Sequence, residues 1–261
     1  MSNVHRRVGA IDFTVLPLSA AGTWVLDAAR SPGAHASQGR PGVAVHFCNA
    51  YNVALAKDDP SYARLLGNAD AVFSDGVPIT WVGKRAYPEQ AGHWERVYGP
   101  DVMRLVLSQS GGEGPRHYLL GSTPETLAAL EERIRSEYPN AIIAGSESPP
   151  FRAATAEELS ERDTRITASG ADIVWVGLGT PKQDTEVQRL AASIPVVAMA
   201  VGAAFDFLAG TKKQAPVWVQ RSGLEWAFRL ASEPRRLGKR YVWGNSVFAV
   251  ESIRTLRSAR R

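Results

Sequence analysis

The amino-acid sequence predicts an α/β protein built on a parallel sheet that is flanked by helices and followed by a basic helical appendage. Short apolar runs alternate with helical segments, as the crossovers between parallel strands require. Residues 212–261 contain no such run and are rich in arginine and aromatic side chains. We therefore expect a Rossmann-like catalytic domain at residues 1–211 and a helical appendage, here called the tail, at residues 212–261.

The predicted elements follow one another in a regular order. Apolar runs short enough for strands buried on both faces occur at 43–48, 71–74, 116–122, 141–146, 171–179 and 195–202. Helical patterns occur at 60–69, from a Ser122–Glu125 capping box onward, near 155–169 and at 181–193. Residues 31–42 have the Gly, Ser and Pro content of a flexible loop. The tail is expected to form two or three helices, with Pro234 separating one from the next.

Composition limits the class of protein. The chain of 261 residues is 44% hydrophobic and 21% charged, which is ordinary for a globular protein. Its single cysteine, Cys48, excludes an internal disulfide, and the first residues lack the apolar stretch of a signal peptide. The longest apolar run, residues 194–205, is too short to span a bilayer. We therefore expect a cytoplasmic protein.

Charge is distributed unevenly along the chain. The tail contains 12 Lys or Arg and 3 Asp or Glu, a net charge of +9, and since the whole chain carries +4, residues 1–211 carry −5. A basic tail suits an anionic partner, which could be a membrane surface, a nucleic acid or a phosphorylated substrate. Its aromatic residues could lie in a membrane interface, stack on nucleic acid or pack the tail onto the body.

Polar groups follow several predicted strands at points that should share one edge of the sheet. Asn49 follows one strand, Asp75 and Gly76 follow another, and Asp206 comes shortly after the last. Asp-Gly is a common turn pair in which the glycine has a positive φ, but a carboxylate here could also take a proton from an attacking hydroxyl. Asp206 is the rival carboxylate, since burial between two phenylalanines could raise its pKa, or it could hold a backbone N–H or an arginine.

The stretch GLGTPKQ, residues 177–183, is a candidate anion site. Gly177 and Gly179 allow close approach of the backbone, and the free N–H groups around Thr180 at a helix start favour a phosphate. Lys182 and Gln183 add donors. Because Lys182 stands where a dinucleotide fingerprint has its third glycine, that fingerprint is weak, and a tight turn without a ligand is the alternative.

Searches for other catalytic motifs are negative. The sequence has no P-loop, no H-x-H or H-E-x-x-H pair, no D-x-D pair and no G-x-S-x-G elbow. We therefore expect neither a metal ion nor a cofactor.

Several segments together resemble the WecG/TagA/CpsF glycosyltransferases. They are NADAVFSDGVPITW (68–81), ERVYGPDVM (95–103), YLLGSTPE (118–125), ADIVWVGLGTPKQD (171–184) and the stretch 200–241, which begins AVGAAFDFLAG. The resemblance implies an inverting, metal-independent hexosyltransferase. Its donor would be a UDP-sugar carrying N-acetylmannosamine, its uronate or a hexose such as glucose. Its acceptor would be a saccharide on a polyprenyl diphosphate, in cell-surface or exopolysaccharide biosynthesis.

The resemblance also implies residue roles. Asp75 would be the general base, and Gly76 would turn the backbone so that this carboxylate faces the cleft. Asn49 would bind sugar hydroxyls, and Gln183 would contact the sugar or the nucleobase. The leaving diphosphate would be stabilised by the 177–183 N–H groups and by cationic side chains, for which the candidates are Arg96, Arg235, Arg236 and Arg240.

The first site strand departs from the family pattern. Many members have Thr-Pro-Asn-x-Glu where this chain has Phe47-Cys48-Asn49-Ala50-Tyr51, so the sugar is not predicted. The tail is expected to bind anionic lipid on the inner face of the cell membrane and to close over the diphosphate. Nucleic acid is not an expected partner, and homo-oligomer formation is left open. Two other functions are also left open: a nicotinamide-dependent oxidoreductase and a non-enzymatic basic adaptor for membrane or nucleic acid.

Overall fold

The computed structural model describes residues 4–260, apart from the side chain of Arg236, and is built around one parallel sheet. Its strands, in chain order, are β1 (His5–Val8), β2 (Ile11–Thr14), β3 (Val43–Cys48), β4 (Ala71–Ser74), β5 (Arg116–Gly121), β6 (Ile142–Glu147), β7 (Ile173–Gly177) and β8 (Val197–Ala200). Strands β3 to β8 form a six-stranded sheet in the order β4-β3-β8-β7-β5-β6, and each neighbouring pair is parallel. The predicted Rossmann-like parallel sheet is confirmed.

Helices cover both faces of this sheet. In chain order they are α1 (Leu18–Arg30), α2 (Pro32–His35), α3 (Ala50–Asp58), α4 (Pro60–Gly67), α5 (Val77–Ala86), α6 (Gly99–Ser108), α7 (Pro124–Glu137), α8 (Ala156–Ser169), α9 (Lys182–Ser193), α10 (Ala204–Leu208), α11 (Val217–Arg221), α12 (Glu225–Ser232) and α13 (Pro234–Ser258). A 3-10 helix, Pro88–His93, lies between α5 and α6. The predicted break at Pro234 is confirmed, because this proline begins α13.

The loop predicted at 31–42 is confirmed in part: residues 36–42 are irregular, but Pro32–His35 form the one-turn helix α2. The predicted capping box is wrong. The helix after β5 is capped by Thr123, whose Oγ1 accepts from the N–H of Thr126 at 3.3 Å. Ser122, the cap expected from the sequence, has a φ of +62°. The cap lies one residue later because Pro124 takes the first helical position.

The core is divided by the sheet. Alternate residues of each strand point to opposite faces, so Val43, Val45 and Phe47 of β3 join one apolar layer with α1, α6 and α7. Ala44 joins the opposite layer with α8 and α9. A third cluster packs the β1–β2 hairpin, which is antiparallel, against α3, α4 and α5. The apolar runs of the sequence are therefore strands buried on both faces.

The tail folds back onto the body. Helix α13 packs against α3, α5, α12 and β1, and its Phe248 is buried in the cluster around the hairpin. Near its end, Thr255 Oγ1 accepts from the N–H of Gly9 at 3.0 Å. In the part of the chain that the structure describes, no helix combines the length and the apolar character needed to cross a membrane.

Candidate active site

Asp75 directly follows β4 and is held by the segments around it. Its N–H donates to the Cys48 carbonyl at 2.9 Å, and its own carbonyl accepts from Arg96 Nε at 2.8 Å. Its Oδ1 accepts from the N–H of Gly99, the first residue of α6, at 3.1 Å. The carboxylate is thus fixed at a helix start, where unpaired N–H groups favour negative charge.

The surroundings of Asp75 bring its pKa closer to neutral pH. Burial raises the pKa of Asp75 from 3.8 to about 6, and the charge of Glu225 adds to the rise. Arg96, the Gly99 N–H and Arg229 act in the opposite direction, but burial outweighs them. A carboxylate with a pKa near 6 can both take up and release a proton near pH 7, as a general base must.

Gly76 does not have the conformation expected of an Asp-Gly turn. Its φ is −109° and its ψ is 135°, so the expected positive φ is wrong. Gly76 is instead the extended N-cap residue of α5. A Cβ atom at this position would lie 3.4 Å from the Cβ of Asn49. That distance is an ordinary van der Waals contact, so neither φ nor space at this position demands a glycine.

Asn49 caps α3 beside Asp75. Its Oδ1 accepts from the N–H of Tyr51 at 3.0 Å, and its own N–H donates to Asn52 Oδ1 at 3.0 Å. This reciprocal arrangement is a capping box made by two asparagines. Since the cap occupies the side-chain oxygen, the Nδ2 amide is the part of Asn49 that can donate to a ligand.

The loop after β7 is closed by Gln183. The buried Gln183 side chain accepts from the Gly179 N–H at 3.0 Å and donates to the Ala200 carbonyl at 3.3 Å. Gly179 has a φ of +78°, and a Cβ on Gly177 would lie 2.9 Å from the Phe205 ring. Both glycines are therefore required by the shape of the loop, and the Gly179 N–H is already bonded within it.

Arg96 joins the body to the tail. Its Nη1 donates to Gln220 Oε1 of α11 at 3.2 Å, and its Nη2 forms an ion pair with Glu225 of α12. Tyr98 lies under the guanidinium, 3.7 Å from it, and donates from its hydroxyl to Glu225 Oε1 at 2.8 Å. Together with the bond to Asp75, these contacts occupy the edges of the Arg96 fork. Arg96 therefore joins the strand end that carries Asp75 to α11 and α12, and it also lines a cavity beside Asp75.

Two cavities meet at Asp75. The tail cavity, about 270 Å³, lies between body and tail, with walls that include Tyr51, Pro78, Arg96, Trp226 and Tyr241. The strand-end cavity, about 370 Å³, lies over the carboxyl ends of β3, β7 and β8, with walls that include Gly177, Gly179, Thr180, Gln183 and Asp206. The two cavities share Asn49, Asp75, Arg229 and Arg240. Asp75 is thus accessible from both.

The tail arginines differ in where the structure places them. Arg240 lines both cavities, and its guanidinium lies 3.8 Å from the centre of the Tyr51 ring. Arg235 is exposed and lines neither cavity, and the side chain of Arg236 lies outside the described residues. Lys182 is likewise exposed and lines neither. The other predicted site residues lie around one or both cavities.

Asp206, the rival carboxylate, is tied to the start of the tail. Its Oδ2 lies 3.1 Å from Lys212 Nζ, and its Oδ1 accepts from Thr211 Oγ1 at 3.4 Å. Asp206 lines only the strand-end cavity, whereas Asp75 lines both. Its charge is thus met by a neighbouring lysine.

The sequence analysis did not single out Glu225, Arg229 or Tyr98 as site residues. Arg229 lines both cavities and lies 5.7 Å from the Phe207 ring. Burial opposes its charge, but Tyr241, Tyr98, Glu225 and Asp75 together raise its pKa. One signal was present in the sequence: Glu225 and Arg229 are four residues apart, so a helix places them on the same face.

Across residues 4–260, no three His, Cys, Asp or Glu side chains are grouped closely enough to hold a metal ion. The chain matches a protein-family model. The model described as "Glycosyl transferase WecG/TagA/CpsF family" matches residues 8–261, which is nearly the whole chain.

Proposed function

The chain belongs to the WecG/TagA/CpsF family of glycosyltransferases, and we propose that it transfers a sugar from a UDP-sugar to a saccharide carried on a polyprenyl diphosphate. The observation that carries this proposal is the position of Asp75, in the wall shared by two cavities. A transferase must bring two substrates to one base. A base reached from both sides provides the meeting point.

The donor occupies the strand-end cavity. Ligands of open parallel sheets bind beyond the carboxyl ends of the strands, and Gly179 in the loop after β7 leaves room for a ligand to approach the backbone there. Arg229 and Arg240 lie in the wall next to Asp75, and their charges suit the diphosphate of a nucleotide-sugar. This arrangement places the bond to be broken close to the base.

The acceptor enters through the tail cavity. Tyr51, Trp226 and Tyr241 give this cavity an aromatic wall that suits the face of a sugar ring or the start of a lipid chain. Arg240 and Arg229 are within reach of the acceptor diphosphate as well as the donor. The acceptor hydroxyl then approaches Asp75 from the side opposite the donor.

The reaction is a single displacement. Asp75 takes the proton of the acceptor hydroxyl while the hydroxyl oxygen forms a bond to C1 of the donor sugar. The bond from C1 to the diphosphate oxygen breaks, and UDP leaves with the electron pair. Attack opposite the leaving group inverts C1. Arg229 and Arg240 stabilise the negative charge that develops on UDP, so no metal ion is required.

Besides its two substrates, the proposed enzyme has a membrane surface as a partner. The tail carries a net charge of +9 and exposes Val217, Trp218 and Leu224, which are 60%, 71% and 49% exposed. Trp81 of α5, 56% exposed, lies against Gly223, so the body adds to the same apolar edge. Tryptophan and basic side chains together suit an anionic lipid interface. We therefore place the enzyme on the inner face of the cell membrane.

The test is release of UDP from a panel of UDP-sugars with a short synthetic lipid-diphosphate acceptor. The parent should release UDP with one donor, EDTA should not slow it, and Asp75→Asn should lower kcat by about 10²–10⁴-fold. Asp75→Asn should still bind UDP, because the strand-end cavity is intact. Transfer by Asp75→Asn at the parental rate would overturn the assignment of the base. A thermal shift with NAD(P) but not with UDP would overturn the function itself.

A further inference from the structure

A chain of hydrogen-bonded side chains lies behind the edge of the sheet that carries Asp75. His46, Asn52, Tyr62 and Asp184 belong to β3, α3, α4 and α9 and are 0%, 1%, 4% and 1% exposed. Burying so many polar groups is costly unless each one has a partner. The partners they find form a continuous path, which ends at Asn49.

The part of this path from Arg40 to Asp184, here called the outer arm, determines which ring nitrogen of His46 donates to Asp184. Arg40 Nη1 donates to Gln188 Oε1 at 2.7 Å, so the Gln188 amide turns its Nε2 toward His46 Nε2, 3.2 Å away. His46 Nε2 must then accept, which leaves the ring proton on Nδ1. That proton faces Asp184 Oδ1 at 2.9 Å.

The inner arm runs from Asp184 to the active site. The Tyr62 hydroxyl donates to Asp184 Oδ2 at 3.0 Å and accepts from Asn52 Nδ2 at 2.7 Å. Asn52 therefore directs its Oδ1 to the N–H of Asn49, 3.0 Å away. The carboxylate of Asp184 receives a donor from each arm, so it sets the direction of both.

We propose that Asp184 is a positioning residue for the transfer reaction, acting through Tyr62 and Asn52 to hold Asn49 at the junction of the two cavities. The proposal rests on the proposed function, in which Asn49 binds a substrate hydroxyl beside Asp75. The preceding residue, Gln183, holds the loop of the strand-end cavity through the Gly179 N–H at 3.0 Å. The first turn of α9 therefore fixes the walls of both substrate sites.

A structural role alone makes a different prediction. If the path only satisfied buried polar groups, breaking either arm would lower stability and leave the rate of folded enzyme unchanged. If the path positions Asn49, breaking the inner arm should lower the transfer rate and breaking the outer arm should not, because only the inner arm reaches Asn49. Tyr62→Phe breaks the inner arm, and Gln188→Met is the matched control that breaks the outer one.

The first experiment measures transfer at a temperature at which both variants are folded. Tyr62→Phe should lower kcat/KM about tenfold or more, since small displacements of a substrate-binding group cost this much. Gln188→Met should stay near the parental value. Because Tyr62→Phe could fail to fold, Asn52→Ala serves as a second break of the inner arm. A parental rate in a folded inner-arm variant would overturn the proposal.

The second experiment is a double-mutant cycle between Tyr62→Phe and Asn49→Ala. If Tyr62 acts through Asn49, the double variant should be no slower than Asn49→Ala alone. Losses that multiply in the double variant would show that Tyr62 acts independently of Asn49, and would overturn the proposal.

A third measurement does not depend on activity. In protein labelled with ¹⁵N at asparagine, the Asn49 backbone and side-chain signals should move in Tyr62→Phe and stay in place in Gln188→Met. If the parent transferred no sugar, the proposed function would fail, while this spectrum would still report on Asn49. Unmoved Asn49 signals in Tyr62→Phe would overturn the positioning role.

Discussion

Arg96 and Glu225 form an ion pair that fastens the tail to the strand end carrying Asp75. Their side chains are only 16% and 13% exposed, and Arg96 Nε also donates to the Asp75 carbonyl at 2.8 Å. One guanidinium thus contacts both the strand end that carries Asp75 and α12. A carboxylate of the tail thereby becomes part of the electrostatic surroundings of Asp75.

Glu225→Gln should move the acid limb of the pH profile of kcat/KM to lower pH. The charge of Glu225 raises the pKa of Asp75, and its removal also frees the charge of Arg96, which lowers that pKa. Both effects keep Asp75 ionised at lower pH. The kcat/KM profile is the proper measurement, because it reports the free enzyme. Glu233→Gln, which removes an equal charge elsewhere in the tail, is the control and should leave the limb in place.

Arg229→Gln should move the same limb in the opposite direction. Arg229 lowers the pKa of Asp75, so its loss should raise that pKa above about 6. The same variant should weaken UDP binding, measured by calorimetry, by about tenfold or more, since a charge-assisted contact contributes about 1.5–3 kcal/mol. Arg235→Gln, an exposed arginine outside both cavities, is the matched control for UDP binding. If the acid limb moved in the same direction in Glu225→Gln and in Arg229→Gln, the role given to Asp75 would be contradicted.

The sheet could be predicted from the sequence because strands buried on both faces must be apolar throughout. VAVHFC and ADIVWVGLG carry that signal, and they correspond to β3 and β7. The β1–β2 hairpin could not be found in this way, because HRRV and IDFT are four residues long and partly polar. Helices α1 and α6 were not predicted, although Pro100 in the first turn of α6 is a helix start signal.

The strand ends of the site could be predicted for a topological reason, and the tail contacts could not. The carboxyl ends of parallel strands share one edge of the sheet, so Asn49 and Asp75 lie at that edge whatever the exact bounds of their strands. The bond from Tyr98 to Glu225 spans 127 residues, and no local pattern encodes it. The buried path was missed for the same reason: His46 stands in an apolar strand and Asp184 in a helix, and only the fold joins them.

Asp75→Asn should make the protein more stable above pH 6. Folding raises the pKa of Asp75 from 3.8 to about 6, so the folded state favours the protonated carboxyl. That contribution to stability is present below about pH 4 and is lost as the pH rises through about 6. The isosteric amide cannot ionise and still accepts from Gly99. The free energy of unfolding of Asp75→Asn should therefore exceed that of the parent by at most about 3 kcal/mol at pH 8, and the difference should vanish near pH 4.

Urea unfolding at pH 4.5 and pH 8 measures this difference directly. Asp206→Asn is the matched control, since it makes the same chemical change in the wall of the strand-end cavity. Its carboxylate is paired with Lys212 at 3.1 Å, so this variant should gain nothing at pH 8. A destabilised Asp75→Asn at pH 8 would mean that the carboxylate serves the fold rather than the reaction.

Trp218→Ser should weaken binding to anionic liposomes while leaving UDP binding unchanged. Trp218 is 71% exposed on α11, within a tail of net charge +9, so its side chain can enter the lipid interface while the protein stays folded. Burying a large apolar side chain contributes about 1.5–3 kcal/mol, so the liposome partition coefficient should fall at least about tenfold. Phe151→Ser is the control, because Phe151 is 86% exposed in the loop after β6, outside the tail. Phe151 lies in the wall of the strand-end cavity, so liposomes that retain Trp218→Ser but release Phe151→Ser would place the membrane-facing edge beside that cavity instead of on the tail.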